Sequence, residues 1–363
     1  MKKTPMLIIG GGPAGLSCAI QAASLGQSVT IVERSHSLGG QLVKQTHKFF
    51  GSEKQYASVR GFKIAELLIQ EYEKYKDLIE VVLDATVTGL YPDKVCTIVQ
   101  NGRYYKIKSE VIVVATGASE KFIAFENNDL PGIYGAGAVQ TLMNQYGVLP
   151  GNKIVMVGSG NIGLIVSYQL MQAGVKVVSV LEAAPLIGGY LVHASKLRRL
   201  GVPIHTSKSI LKANGSACVE SIVIADLDDS WNPIPGTEET VEVDAVCVSV
   251  GLSPMHQLLS MVGARILFIP ELGGWVPKVS ECHETSVDNI FACGDLSGVE
   301  EASSAMVEGR LTGLFAARRL LGTIDNDESI HQDLISQLEG LRSGPFGKKT
   351  REGLLQMKEE GQC

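Results

Sequence analysis

The chain has 363 residues and a formal net charge of −6, and 45% of its residues are hydrophobic while 19% are charged. This composition excludes a disordered chain, and the length favours two domains over one core. Because lysine and arginine form no block, we expect no nucleic-acid-binding face. No apolar run approaches the roughly 20 residues that span a bilayer, so we expect a cytoplasmic protein.

The first predicted element is a strand that runs into a glycine-rich turn. Met6–Ile9 shows no polar alternation, which is typical of a parallel strand covered on both faces. The turn GGGPAG at 10–15 opens a helix, and a second apolar run, Val29–Val32, ends at Glu33. Such glycines permit a tight turn, the approach of a pyrophosphate and packing of the helix on the strand; they are Gly10, Gly12 and Gly15. The pattern predicts a dinucleotide site, with the pyrophosphate at the helix N-terminus and a ribose at Glu33.

An amphipathic helix and another buried strand are predicted next. Residues 61–75 carry apolar side chains at helical spacing, which indicates packing on a core. Val111–Val114 then runs into Ala115, Thr116 and Gly117. This ending is typical of the last strand of a domain, which delivers a glycine turn near a bound nucleotide. An ordinary strand-to-loop exit is the alternative.

The middle of the chain repeats the first pattern. Residues 155–191 contain an apolar run, a G-x-G-x-x-G turn, a helix-like stretch, a second apolar run and Glu182, with one extra residue just before this glutamate. The glycines of this turn are Gly158, Gly160 and Gly163. The repeat predicts a second nucleotide site, and a copy kept only for packing is the alternative. Because Glu182 would repel a 2′-phosphate, NAD is favoured over NADP, although another adenine nucleotide such as ADP or ATP fits the same signals.

The remaining segments are less specific. Residues 225–242 are polar, contain prolines and are predicted to form a hairpin or loop, and Val246–Val250 is a strand that ends at Gly251. The tail after Gly322 carries an apolar stripe that either docks a partner subunit or folds back on its own domain. The cysteines are odd in number, irregularly spaced and without a C-x-x-C pair, which argues against a disulfide framework.

Four motifs together resemble the flavoprotein pyridine-nucleotide oxidoreductases, a superfamily that includes thioredoxin reductase-like enzymes. They are GGGPAG at 10–15, ATG at 115–117, GSGNIG at 158–163 and IFACGD at 290–295. The resemblance implies an α/β fold with two Rossmann-like domains, the second inserted into the first. It places an FAD domain at 1–117 and 254–325, an NAD-like domain at 118–253 and an extension at 326–363.

The resemblance also assigns roles to residues. Asp295 would hydrogen-bond the ribityl or pyrophosphate part of FAD, and the helix near Ala302 would point its N-terminus at the flavin and stabilise its reduced, negative form. The expected FAD contacts are Gly10, Gly12, Pro13, Ala14, Gly15, Glu33, Arg34, Gly40, Gln41, Thr116, Gly117, Gly294, Asp295 and Ala302. The expected contacts of the second nucleotide are Gly158, Gly160, Asn161, Ile162, Gly163 and Glu182. No metal ligands are expected.

In the superfamily, the stretch equivalent to 41–51 lies along the FAD pyrophosphate and near the isoalloxazine. Lys44, Thr46, His47 and Lys48 are therefore candidates for polar contact with flavin or substrate. His47 and Lys48 are the predicted catalytic residues, because imidazole titrates near neutral pH and can act as an acid or base. A structural or solvent-facing role is the alternative for both. His193 holds a similar place in the second copy and is a weaker candidate.

The block at 294–320 narrows the resemblance. It is similar to the corresponding block of opine oxidase subunits, of the HcnB-type subunit of hydrogen cyanide synthase, and of the nucleotide-binding part of heterotetrameric sarcosine oxidase and of dye-linked proline or hydroxyproline dehydrogenases. These complexes oxidise an amino or imino acid on a partner subunit. Many such subunits carry a four-cysteine [2Fe-2S] domain at the C-terminus, which this chain does not show, so an iron–sulfur centre is expected on another polypeptide.

The expected function is therefore an FAD-dependent oxidoreductase subunit that passes electrons between FAD and NAD(H) or a partner flavoprotein or iron–sulfur protein. A disulfide reductase is rejected because dithiol exchange needs a thiolate pair. Two alternatives stay open: a stand-alone NAD(P)H-dependent flavin reductase that acts on a small quinone or ferredoxin, and a non-catalytic nucleotide-binding scaffold. A hetero-oligomer or a homodimer fits the first of these functions.

Overall fold

The structure is a computed structural model that describes residues 1–49 and 51–359. The chain divides into two compact units. Unit 1 comprises residues 1–119 and the part of the chain after residue 252, and unit 2 comprises residues 120–252. The chain therefore leaves unit 1, builds unit 2 from one continuous segment and returns.

The strands, in chain order, are β1 Lys2–Ile9, β2 Val29–Val32, β3 Ile79–Val82, β4 Ala85–Leu90, β5 Val95–Gln100, β6 Arg103–Val114, β7 Ala118–Glu120, β8 Ile133–Gly135, β9 Lys153–Val157, β10 Lys176–Leu181, β11 Ile204–His205, β12 Lys208–Asn214, β13 Ser221–Asp226, β14 Glu239–Glu242, β15 Ala245–Val248, β16 Leu252–Pro254, β17 Ile266–Ile269, β18 Gly274–Pro277 and β19 Ile290–Ala292. The α-helices are α1 Pro13–Ser24, α2 Gly61–Tyr72, α3 Ala136–Tyr146, α4 Asn161–Gln172, α5 Leu191–Arg199, α6 Gln257–Met261, α7 Ala302–Leu321, α8 Asp327–Arg342 and α9 Lys348–Glu359.

The central sheet of unit 1 has the strand order β3-β2-β1-β6-β5-β4, and β19 pairs in parallel with β6. β1 is parallel to both β2 and β6. Met6 and Ile8 pack into the core formed with α1 and α7, while Leu7 and Ile9 pack into a second core on the opposite face. Because both faces are covered, the strand carries apolar residues at every position, as its sequence indicates.

Close packing of two helices fixes one face of this sheet. α7 contacts α1 through Gly309 and Gly313, where an added Cβ would overlap the backbone carbonyls of Ala14 and Cys18. Only glycine lets the two backbones approach so closely. The contact holds the start of α1 against the segment that carries residues 294–302.

Unit 2 contains a parallel sheet of order β11-β10-β9-β15-β8. Helices α3, α4 and α5 cover one face, and the antiparallel meander β12-β13-β14 lies on the other. The pairing of β10 with β9 shifts between Val177 and Ser179, so Val178 is bulged out of register. This is the extra residue of the second copy, and it lies four residues before Glu182 rather than directly before it.

The predicted elements differ from the structure mainly at their ends. β15 stops at Val248, two residues earlier than predicted, and the helix after Gly61 ends at Tyr72 with a 3-10 turn behind it. The segment 225–242 forms the hairpin of β13 and β14. Within the described ranges, we find no helix with the length and apolar character needed to cross a membrane.

The tail folds back on unit 1. Leu334 and Leu338 on α8 are 4% and 5% exposed and belong to the core formed with α1 and α7. On α9, Met357 packs against the hairpin of β17 and β18. Of the two roles left open for the apolar stripe, the structure therefore occupies it within the chain itself. Residues 360–363, including Cys363, lie outside the described part.

Candidate functional site

The first glycine turn has two kinds of glycine. Gly10 adopts φ +107°, and an added Cβ at Gly15 would overlap the Gly10 carbonyl, so both are required by the backbone. Gly12 instead has φ −73°, which any residue adopts, and its added Cβ would meet only Gly40 Cα at 3.9 Å. The backbone therefore gives no reason for glycine at position 12, whereas a group passing close to it would.

The N-terminus of α1 is prepared for an anion. Pro13 occupies the first helical position, no side chain caps the helix, and its first turn holds no acidic residue. The unpaired N–H groups and the positive end of the helix dipole therefore remain available. Gly39 N donates to Gly11 O at 2.9 Å, and this bond brings Gly40 over Gly12. A pyrophosphate fits this cradle of glycines.

Glu33 lies at the end of β2 and is 7% exposed. Its carboxylate accepts hydrogen bonds from Gly11 N at 2.7 Å and Ser35 N at 2.8 Å, so the side chain is oriented before any ligand arrives. Each oxygen keeps a lone pair for a ribose hydroxyl. The neighbouring candidates Arg34 and Gln41 are exposed.

The turn after β6 is held by the returning chain. Thr116 Oγ1 donates to Met255 O at 3.0 Å, and Met255 N donates to Gly117 O at 3.0 Å. Gly117 adopts φ +72° with open space beside it. The Thr116 hydroxyl proton is thus committed to the fold, and Gly117 is the member of the pair that leaves room for a ligand.

The segment 294–302 brings an acid and a helix N-terminus together. Gly294 adopts φ +71°, and its N–H donates to Glu308 at 3.0 Å. Burial, followed by the charges of Glu300, Glu308 and Glu301, raises the pKa of Asp295 to about 7 against the lowering effect of the Glu300 N–H. α7 begins at Ala302 with neither a side-chain cap nor an acid in its first turn. Its free N–H groups suit the negative charge of a reduced flavin.

Sequence reasoning missed a buried ion cluster next to this segment. Arg342, at the end of α8, donates from Nε to both carboxylate oxygens of Glu300 at 3.1 and 3.0 Å and from Nη2 to Glu308. Nothing local in the sequence points to it, because Arg342 lies 42 and 34 residues from its two partners. The E-G-R triplet at 308–310 was the available signal for Glu308.

The predicted catalytic residues lie on the loop before α2. His47 is partly buried and stacks on Phe49 with ring centroids 5.2 Å apart. Lys48 is exposed and forms an isolated bridge with Arg60. The structure thus places His47 inside the loop and Lys48 on its solvent side. Phe50, within the predicted stretch 41–51, lies outside the described residues.

The second glycine turn has the same geometry as the first. Gly158 adopts φ +105°, and an added Cβ at Gly163 would overlap the Gly158 carbonyl. Gly160 has φ −64° and nothing within 4 Å of an added Cβ, so its position is open like that of Gly12. α4 also starts without a side-chain cap or a first-turn acid. An adenine dinucleotide fits here by the same criteria.

Glu182 matches Glu33 in its contacts. Its carboxylate accepts from Ser159 N at 3.0 Å, Ser159 Oγ at 2.5 Å and Ala184 N at 3.0 Å. The following glycine pair differs by one residue, because Gly189 N rather than Gly188 N donates to the carbonyl of the turn, at 2.9 Å. An added Cβ at Gly189 would lie 2.9 Å from Asn161 N, so this backbone approaches the first helical residue of α4.

Side chains near this second turn include two further candidates. Ile162 is 36% exposed, which leaves an apolar surface at the start of α4. His193 is 8% exposed, and burial followed by Lys196 lowers its pKa. Its ring stacks on Tyr190 with centroids 6.1 Å apart, so a packing role accounts for it.

The thiols are unsuited to exchange chemistry. Cys18, Cys247 and Cys293 are buried, and burial raises the pKa of each. Burial also raises the pKa of Cys96 to about 12. A neutral thiol is a poor nucleophile. Among the described residues, no group of three or more His, Cys, Asp or Glu side chains is placed to hold a metal ion.

Residues 4–309 match the sequence profile of a family described as pyridine nucleotide-disulphide oxidoreductase. The chain belongs to this family. The predicted FAD-dependent oxidoreductase class is thereby confirmed at the level of the family. The match spans both glycine turns and ends within α7.

Three relatives of this family member are named as parts of larger enzymes. The chain is 24% identical over 327 residues to the HcnB subunit of hydrogen cyanide synthase from Pseudomonas aeruginosa, covering 85% of this chain and 69% of that protein. An opine oxidase subunit of Agrobacterium tumefaciens is 25% identical, with coverage of 90% and 68%. The alpha subunit of sarcosine oxidase from a Corynebacterium species is 27% identical, with coverage of 86% and 32%. The chain thus spans about two thirds of the first two relatives and about one third of the third.

Solved structures of the family agree on the fold. Thioredoxin reductase of T. acidophilum superposes with a TM-score of 0.71 at 21% identity, covering 89% of this chain and 100% of that one. L-proline dehydrogenase of P. horikoshii gives a TM-score of 0.69 at 21% identity, with coverage of 92% and 59%. The predicted α/β class with two Rossmann-like domains is confirmed.

Proposed function

We propose that unit 1 binds FAD and that unit 2 binds NAD(H) or another adenine nucleotide. The observation that carries this proposal is the pair Gly12 and Gly160, whose backbones tolerate any residue and whose added Cβ atoms would meet almost nothing. Each sits at an uncapped helix N-terminus beside an oriented glutamate. Room for a pyrophosphate explains glycine at both positions.

The redox role follows from what the chain offers around the first site. Flavin supplies the hydride and electron chemistry when it is bound. Asp295 would hold the ribityl or pyrophosphate part of the cofactor, and the free N–H groups of α7 would stabilise charge on the reduced ring. His47, partly buried on the adjacent loop, is the proposed proton donor or acceptor, and the exposed Lys48 would contact a substrate or a partner.

We further propose that the chain passes electrons as one subunit of an amino- or imino-acid dehydrogenase complex. Support comes from the relatives, which are named as subunits of opine oxidase and sarcosine oxidase. The buried, protonated thiols support electron transfer by flavin rather than by disulfide exchange. The partner would be a second flavoprotein or an iron–sulfur protein.

The decisive experiment uses Gly12→Ala and Gly160→Ala in the full chain. Both methyl groups fit the empty fold, so thermal unfolding without ligand should change little. Gly12→Ala should weaken FAD binding at least tenfold, measured by flavin fluorescence titration. Gly160→Ala should keep FAD but lose most of the anaerobic bleaching by NADH. Gly340→Ala on α8, whose added Cβ also meets nothing, serves as the control.

The outcomes separate the alternatives. Absence of stoichiometric FAD in the wild-type chain would overturn the proposed function. Fast bleaching by NADH together with turnover of a quinone or ferredoxin would favour the stand-alone reductase. If neither NADH nor amino or imino acids bleach the bound flavin, the chain needs its partner. A tightly bound adenine nucleotide that never turns over would favour the scaffold.

A further inference from the structure

Arg342 lies at the end of α8 and between two carboxylates of the main body of unit 1. The side chains of Arg342, Glu300 and Glu308 are 12%, 10% and 9% exposed. Burial by itself lowers the pKa of the guanidinium, but the charges of Glu308 and Glu300 and their hydrogen bonds raise it overall. Arg342 is therefore a permanent positive charge in a mostly water-free cluster.

Both carboxylates touch the segment proposed to hold the flavin. Glu308 accepts from Gly294 N at 3.0 Å, and Glu300 N donates to Asp295 Oδ1 at 3.4 Å. Arg342 thus reaches the 294–295 turn through each of its partners. The cluster is one contact away from the proposed cofactor.

The end of α8 also lies beside the first turn of α7. An added Cβ at Gly51 would lie 3.6 Å from Leu341 Cδ2 and 3.6 Å from Ser303 Oγ, so these three residues meet at one point. The end of α8 is held in turn from behind, because Arg351 donates to the carbonyls of Arg342 and Gly344. The tail is anchored at the flavin segment rather than merely lying on the surface.

Removal of the positive charge would leave an unbalanced cluster. Glu300 and Glu308 are close enough that the charge of Glu308 disfavours ionisation of Glu300, and both also raise the pKa of Asp295. Unpaired buried carboxylates are costly and must either move towards water or take up protons. Either response disturbs the turn that they hold.

We propose that Arg342 is a positioning residue of the flavin site. It holds Glu300 and Glu308 in the orientation that fixes the 294–295 turn, and it offsets their negative charge next to the reduced flavin. The inference rests on the proposed function, since it assumes that FAD binds unit 1. It makes the tail a structural part of that site.

The test compares Arg342→Gln and Arg342→Lys with Lys54→Gln in the full chain. Lys54 is the control because its exposed ion pair with Asp333 also ties α8 to the body of unit 1. We expect Arg342→Gln to raise the FAD dissociation constant at least tenfold. We also expect it to weaken binding of reduced relative to oxidised flavin about tenfold, which equals a fall in midpoint potential of about 30 mV for a two-electron couple.

Arg342→Lys keeps the charge and should recover most of both losses, whereas Lys54→Gln should change neither. Lower thermal stability of Arg342→Gln with an unchanged FAD dissociation constant and potential would assign Arg342 a purely structural role and overturn the inference. If Arg342→Gln does not fold, failure of Arg342→Lys to retain the wild-type potential would overturn it as well. Failure of the wild-type chain to bind FAD would instead overturn the proposed function.

Discussion

Burial acts in opposite directions on two titratable side chains of unit 1. It lowers the pKa of His283 to about 4 and raises that of Asp295 to about 7. His283 shares a hydrogen bond with Thr312 Oγ1 at 3.0 Å and is held neutral. Both residues therefore link the stability of the ligand-free chain to pH, with opposite signs.

The His283 prediction concerns acid. Its folded pKa lies below the unfolded value of about 6.5, so the unfolded chain binds more protons and stability falls as pH decreases from about 6.5 to 4. His283→Gln should flatten this fall by on the order of 2 kcal/mol. Urea unfolding at pH 7 and pH 4.5 measures the difference, and equal pH dependence of the two chains would contradict the assignment.

The Asp295 prediction concerns the opposite window. Because the folded pKa is raised from 3.8 to about 7, the native chain binds more protons and stability falls as pH rises between these values. Asp295→Asn should therefore stabilise the ligand-free chain at pH 8 while weakening FAD binding at least tenfold. Thermal unfolding and flavin titration report the two effects. A variant that is less stable at pH 8 would refute the argument.

At the scale of elements, the close contact of α1 and α7 sets the site. Gly309 and Gly313 bring the two backbones together, and this contact carries the N-termini of both helices to the same end of unit 1. The helix interior would otherwise favour alanine over glycine. Glycine is used here because the helices need to approach, at a cost in helix propensity.

This argument predicts opposite effects of one substitution on two helices. Gly313→Ala would push a methyl group against the Cys18 carbonyl and should cost about 1–3 kcal/mol. Gly340→Ala on α8 meets nothing and should stabilise by up to about 1 kcal/mol through helix propensity. Chemical unfolding of the two variants measures both. Equal effects would mean that α1 and α7 can separate without cost.

The sequence predicted the elements whose signals are local. Strand, turn, helix and glutamate of each copy follow one another within about 30 residues, and each step has its own physical requirement. The bulge at Val178 was expected closer to Glu182 because the apolar run is uniform and gives no register signal. The ion cluster of Arg342 could not be found, since it depends on where a distant helix ends after folding.

At the scale of the whole molecule, the two units have separate cores and separate nucleotide turns. A ligand stabilises only the unit that binds it. In scanning calorimetry, FAD at 100 times its dissociation constant should stabilise unit 1 by about 2.7 kcal/mol and shift one transition. NADH should shift the other. A single transition that moves with either ligand would show that the units unfold together.

The placement of Arg342 has a consequence for synthesis on the ribosome. Unit 2 is one continuous segment, whereas the first part of unit 1 must wait for α7 and for Arg342, which emerges about 90 residues after unit 2 is complete. At about 5–20 residues per second this is a delay on the order of ten seconds. During that time the apolar face of α1 has no partner, so unit 2 is expected to fold first and newly made chains to depend on chaperones until the flavin segment arrives.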